Sequence, residues 1–137
     1  MPTTLKRPRE DTSLRNRLES LAQAIRDKDI DAIMAHYAPD VVVFDVLPPP
    51  DTKGAAEYRK NFERWFEGMP GPIEYEMFDV QLSHSESHAF AHFQSLIRAT
   101  RPDGEKMEYS VRVTSCFQKA NGQWLVAHEH VSVPMKM

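Results

Sequence analysis

The chain has 137 residues, and its 17 Lys+Arg against 20 Asp+Glu give a formal charge of −3 at pH 7. That length fits one domain able to bury a core unaided, and the single cysteine, Cys116, excludes an intramolecular disulfide and a Cys-based zinc cage. The acidic balance argues against a nucleic-acid binder, and no apolar run approaches the roughly 20 residues needed to span a bilayer. The first residues, MPTTLKRPRED, lack the apolar centre of a signal peptide, so the expectation is a soluble cytoplasmic protein that meets no membrane.

Residues 1–11 carry two prolines and no periodicity and read as a flexible leader, with the folded domain spanning 12–137. From Thr12 the pattern changes. Leu14, Leu18, Leu21, Ala22 and Ile25 recur at three- and four-residue spacing, which predicts an amphipathic helix to about Lys28. Asp29 reads as the cap of a short second helix, with Ile30, Ile33, Met34 and Tyr37 on its inner side and Pro39 as its stop. Val41–Phe44 is a β-branched apolar run, a strand expected to be buried on both sides. Asp45 follows it, and Leu47-Pro48-Pro49-Pro50-Asp51 is a stiff loop unable to join a ladder. A third helix is expected over Gly54–Gly68, with Tyr58, Phe62, Trp65 and Phe66 in its apolar set.

Four strands follow, at about 73–83, 88–100, 105–118 and 123–133. Arg101-Pro102-Asp103-Gly104 and Asn121-Gly122 supply the turns. Helices first and long strands after predict an α+β fold: a cone-shaped barrel of three helices packed on a strongly curved, mostly antiparallel mixed sheet. The mouth of such a cone is an ordinary ligand site.

Asp45 is the sharpest candidate. At the end of an apolar strand its carboxylate is poorly hydrated, which raises its proton affinity and suits it to act as a general base. The alternative is a strand-end Asp capping the Pro-rich loop. Alternation on the second long strand places Phe90, His92, Gln94, Leu96 and Arg98 on one face and Ala91, Phe93, Ser95, Ile97 and Ala99 on the other. His92 could exchange protons with Asp45 or water, or be a satisfied core residue. On the last strand Trp124, Val126, His128, His130 and Ser132 share one face, and Glu129 shares the other with Leu125, Ala127, Val131 and Val133. A lone Glu amid apolar neighbours suits a cavity wall. Tyr37 and Trp65 offer a ligand an OH and an NH from the helical wall. His128 and His130 have no evident third ligand, so no metal is expected, and no cofactor motif is present.

Several stretches carry a family resemblance: Asp29-Ile30-Asp31-Ala32-Ile33, the run from His36 to Asp45, Gly54, Asn121-Gly122-Gln123-Trp124, and His128-Glu129-His130-Val131-Ser132-Val133-Pro134. Together they resemble the nuclear transport factor 2-like superfamily, in its SnoaL-like and ketosteroid isomerase-like branch. The terminal run is also similar to the association domain of calcium/calmodulin-dependent protein kinase II. The resemblance implies that Asp45 holds the position of the isomerases' proton-moving aspartate. It also implies that Leu21 and Val113 stand where their oxyanion donors would be. It puts Arg98 at a pocket arginine, where it meets either a ligand carboxylate or an ion-pair partner in Glu129 or Asp45. It turns the histidines of the last strand to the outer sheet face and Glu129 inward.

Two functions are consistent with this reading. The first is cofactor-free proton transfer (isomerase, cyclase or dehydratase) on a small hydrophobic or carboxylate-bearing molecule, with Asp45 as base and Tyr37, Trp65, His92, Arg98 and Glu129 in the pocket. The second is a non-catalytic ligand-binding or oligomerisation domain in which Arg98 holds an acidic ligand. A homodimer is expected through the outer sheet face, because Trp124, Val126 and two histidines there need cover.

Overall fold

The computed structural model describes residues 8–136. Helix α1 (Pro8–Arg26) and short helix α2 (Ile30–Met34) precede strand β1 (Tyr37–Phe44), the two-residue strand β2 (Thr52–Lys53) and helix α3 (Ala55–Gly68). Strands β3 (Glu74–His84), β4 (His88–Thr100), β5 (Lys106–Ala120) and β6 (Gln123–Ser132) complete the chain. They form one six-stranded sheet in the order β2-β1-β6-β5-β4-β3, antiparallel throughout except where β1 runs parallel to β6. This is the expected α+β arrangement, an open cone with the helices against one sheet face.

Residues 1–7 of the expected leader lie outside the described residues; Pro8–Asp11 already belong to α1. The stripe Leu14, Leu18, Leu21, Ala22 and Ile25 is buried. Arg26 fastens the end of α1 to the sheet, its Nε donating to the Tyr75 carbonyl at 2.8 Å.

The second helix is shorter than its sequence pattern suggests. It ends at Met34, and Tyr37 and Pro39 lie on β1 rather than on the helix. Proline has no N–H to give a ladder. Here the register between β1 and β6 jumps from Tyr37↔Val126 to Val42↔His128, so Pro39 sits in a stretch with no paired partner. Phe44 is exposed on the far face and packs edge-on against His128 and His130, so this strand is buried on one side only. Gly54 caps α3 at φ +90°, a conformation that disfavours any side chain, while its N–H donates to the Val41 carbonyl at 2.7 Å.

The decisive irregularity is in β6. Phe117 faces Val126 and Cys116 faces His128, so Ala127 is an extra residue, a β-bulge. Strict alternation would keep Trp124 and Val126 on the side of His128. The bulge shifts the phase, so Trp124 and Val126 are buried in the core and Glu129 follows them inward. The expectation that Trp124 and Val126 sit on the outer face is therefore corrected.

Candidate functional site

Between α1, α3 and the inner sheet face lies a cavity of about 500 Å³, walled mainly by hydrocarbon and aromatic groups. Leu21, Ile25, Phe62, Phe93, Ile97 and Val113 form much of its lining. Val46 and Leu47, 41% and 73% exposed, line it next to Asp45, so this side opens to solvent. Glu129, 5% exposed, marks the sheltered interior.

Glu129 is held by neutral hydroxyls alone. The Tyr37 and Tyr58 hydroxyls both donate to Oε1 at 3.1 Å, and Ser115 Oγ donates to Oε2 at 2.9 Å. Each donor arrives from a different element. Tyr37 comes from the start of β1, Tyr58 from the first turns of α3, and Ser115 from β5, directly opposite Glu129 in the ladder. Tyr37 and Tyr58 also meet edge to face, with ring centroids 5.1 Å apart. Burial raises the Glu129 pKa above the carboxylate value of 4.5; the three hydroxyls pull it down and the nearby Asp45 charge pushes it up. Burial likewise drives the Tyr37 and Tyr58 phenols well above 10, so both remain hydrogen-bond donors.

Asp45 sits immediately after β1, its Oδ1 accepting the Val46 N–H at 2.7 Å. Burial raises its pKa from 3.8 and the Val46 hydrogen bond opposes the rise. On the other strands, Ser95 Oγ donates to the Tyr75 hydroxyl at 2.9 Å, and burial pushes the Tyr75 pKa up to about 12. Tyr109 is half-buried in the wall, with a pKa raised by burial and by Asp45. Trp65 lines the same space, and its indole nitrogen is buried without an acceptor.

Of the residues singled out from sequence, Tyr37, Asp45, Trp65 and Glu129 line the cavity. His92 and Arg98 do not. Both project from the outer sheet face, where His92 stacks on Phe90. Arg98 pairs with Glu108 at 3.1 Å, Glu76 at 3.3 Å and Glu74 at 3.4 Å. Their shared face was read correctly, but as the wrong side of the sheet. Phe90 and Leu96 make that face look more covered than Ala91, Ser95 and Ala99, yet it is the small residues that pack inward. Arg98 therefore meets neither Glu129 nor Asp45, and an acid ligand in the cavity would not reach it.

Tyr58 was read only as helical wall, and Ser115, Tyr75 and Tyr109 were missed. Alternation from Val113 carries Ser115 inward opposite Glu129, a signal visible only once the strands are paired. Leu21 and Val113 line the cavity as apolar groups, so polar contacts to a ligand come from other positions. Among the described residues no group of three or more His, Cys, Asp or Glu could hold a metal ion, and no helix is long and apolar enough to cross a membrane.

A three-helix layer on a six-stranded sheet with β1 parallel to β6, enclosing a lateral cavity, defines the nuclear transport factor 2-like fold. Within it, the chain belongs to the SnoaL-like domain family, whose model matches residues 14–136. It is similar to a nuclear transport factor 2-like protein of unknown function from Pseudomonas putida, at 32% identity, covering 96% of this chain and 91% of that one with a TM-score of 0.84. Two further structures share the fold. One is a ketosteroid isomerase-like protein from Erwinia carotovora atroseptica, at 21% identity, covering 90% of this chain and 96% of that one with a TM-score of 0.77. The other is a scytalone dehydratase candidate from Novosphingobium aromaticivorans, at 14% identity, covering 92% and 85% with a TM-score of 0.83. No curated protein matched.

Proposed function

We propose that the chain binds a small hydrophobic molecule in this cavity and moves a proton on it without a cofactor, as an isomerase, cyclase or dehydratase would, with Asp45 as the general base. One observation carries the reading: Asp45 is an ionisable group at the solvent-open side of a mostly apolar cavity, where burial raises its proton affinity. A general base works best when its pKa approaches the working pH, and desolvation moves a carboxylate that way. Its Oδ1 is anchored by the Val46 N–H, which orients the carboxylate. Tyr37, Trp65 and Glu129 are the other groups that would touch the ligand.

A second carboxylate in the same cavity favours turnover over simple storage. The Asp45 charge adds to burial in raising the cost of ionising Glu129, so Glu129 is the group inclined to keep a proton that it can give back. The names of the isomerase-like and dehydratase-like fold relatives are consistent with that chemistry and support it only by analogy. A ligand-holding role built on Arg98 loses its support, since that side chain lies on the opposite face.

A second copy of the chain on the outer sheet face belongs to the same proposal. Phe44, Phe78 and Phe90 are all exposed there, and a single layer leaves them in water.

The test is exchange of the α-protons of a small cyclic ketone, 1-tetralone, in D2O, followed by NMR. The protein is expected to accelerate exchange, and Asp45→Asn to remove about two orders of magnitude of that acceleration or more. Equal exchange with wild type and Asp45→Asn would discard Asp45 as the base.

A further inference from the structure

The cavity wall holds polar groups that the fold leaves incomplete, and these describe the ligand. The Trp65 indole N–H is buried, lines the cavity and has no acceptor. A buried donor without a partner is costly, on the scale of a whole hydrogen bond or more; the Trp124 indole nitrogen is in the same state, but only that of Trp65 lines the cavity, where a ligand can meet it. Its neighbour is Tyr109. The indole favours the ionised form of that phenol, yet the contact falls outside hydrogen-bond geometry, so the two are neighbours and not a bonded pair. The Tyr109 hydroxyl makes no hydrogen bond within the described residues, and Asp45 is close enough to raise its pKa. Two donors from α3 and β5 thus line the same cavity as the Asp45 carboxylate, and Tyr109 lies near enough to feel its charge.

We infer that the Trp65 N–H and the Tyr109 O–H form a subsite for a single uncharged acceptor oxygen of the ligand, a ketone or hydroxyketone oxygen, and that this pair makes the cavity prefer neutral carbonyl compounds to carboxylic acids. The inference rests on the proposed ligand-binding function and names its substrate class. Two donors converging on one oxygen give direction and selectivity, because a ligand lacking that oxygen strands both of them. Selection against acids follows from the charges. Asp45 and Glu129 face the cavity, and among the described residues Arg64 is the sole cation lining it. Arg64 is exposed and bonded to Asn61, so a carboxylate entering beside the two acids would meet like charge in an apolar surrounding. Large apolar walls with a few converging polar groups are how small-molecule sites combine affinity with orientation.

Three matched probes test this by isothermal titration: 1-tetralone, tetralin (the same rings without the oxygen) and 1-naphthoic acid. With wild-type protein, 1-tetralone is expected to bind more tightly than either. Tyr109→Phe keeps the ring and removes one donor; Trp65→Phe removes the other donor together with one ring of the indole, so both are read as the ratio of 1-tetralone to tetralin affinity. Each variant is expected to lower that ratio about three- to tenfold. Tetralin binding that persists in both variants certifies that they keep the cavity. The subsite is overturned if wild type shows no preference for 1-tetralone over tetralin, if that preference survives intact in either variant, or if 1-naphthoic acid binds best. The two proposals fail separately. If exchange ignores Asp45→Asn while the donor-dependent preference stands, the proton-transfer reading falls and the subsite remains. If exchange needs Asp45 but the preference ignores both donors, the subsite falls alone.

Discussion

Strand β4 passes alternately through two environments. On its outer side Arg98 is satisfied by three carboxylates in water, each pair exposed on both partners. On its inner side Ser95 is fully buried and donates a hydrogen bond to the Tyr75 hydroxyl. The same division holds across the sheet. Arg98 outside meets opposite charges, whereas Glu129 within meets only phenols and a serine. Exposed ion pairs add little to stability because water competes for both partners and salt screens them. A buried carboxylate surrounded by uncharged donors is costly to ionise, and this makes it useful for chemistry. Charge placement therefore distinguishes the two faces: ion pairs in water outside, a carboxylate among neutral donors inside.

The largest effect should come from truncating the side chain that the β6 bulge turns inward. Trp124 is 2% exposed, so Trp124→Ala should cost about 3–5 kcal/mol in urea denaturation, whereas a solvent-facing tryptophan would cost little. A loss under about 1 kcal/mol would return that residue to the outer face.

A smaller effect sharpens the electrostatic contrast. The folded-state pKa of Glu129 lies above 4.5, so the native state holds this proton more tightly than the unfolded chain does. The contribution of this group to stability is then greatest on the acid side and declines as pH rises from about 4.5 through the folded-state pKa. Glu129→Gln carries no titrating proton, so its melting temperature should fall less over that interval than that of wild type. Parallel curves would mean that Glu129 is not desolvated.

The smallest effect on the site should come from the outer face. Phe90, 46% exposed, lies on the surface offered to a second copy. Phe90→Glu should halve the mass measured by light scattering and leave 1-tetralone affinity unchanged. A wild-type protein already monomeric would discard the dimer, and an altered affinity would break the separation between the two faces.

Much of this was legible beforehand. The Leu14–Ile25 stripe, the Asn121-Gly122 turn and the bounds of β4 depend on local periodicity and turn chemistry, and the fold followed from their order. Asp45 and Glu129 stood out because acids are rare among apolar neighbours. What failed was nonlocal. Tyr37 moved from helix to strand because β6 offered its ladder to β1, a pairing 89 residues away in the chain (126 − 37). His92 and Arg98 went to the wrong side because alternation sorts residues into two sets without saying which set meets the helices. Tyr58, Ser115, Tyr75 and Tyr109 gain importance only from what they face across the cavity.

Ala127 has a consequence larger than its size. Without that added residue's offset in phase, the strand carrying Trp124 and Val126 inward would also turn His128 and His130 toward the cavity and send the acid out to solvent. Imidazole or carboxylate at the cavity floor is thus selected by a hitch in the main chain rather than by which functional groups the segment contains. A redesign that smoothed that hitch would alter the available acid–base chemistry without replacing a single reactive side chain.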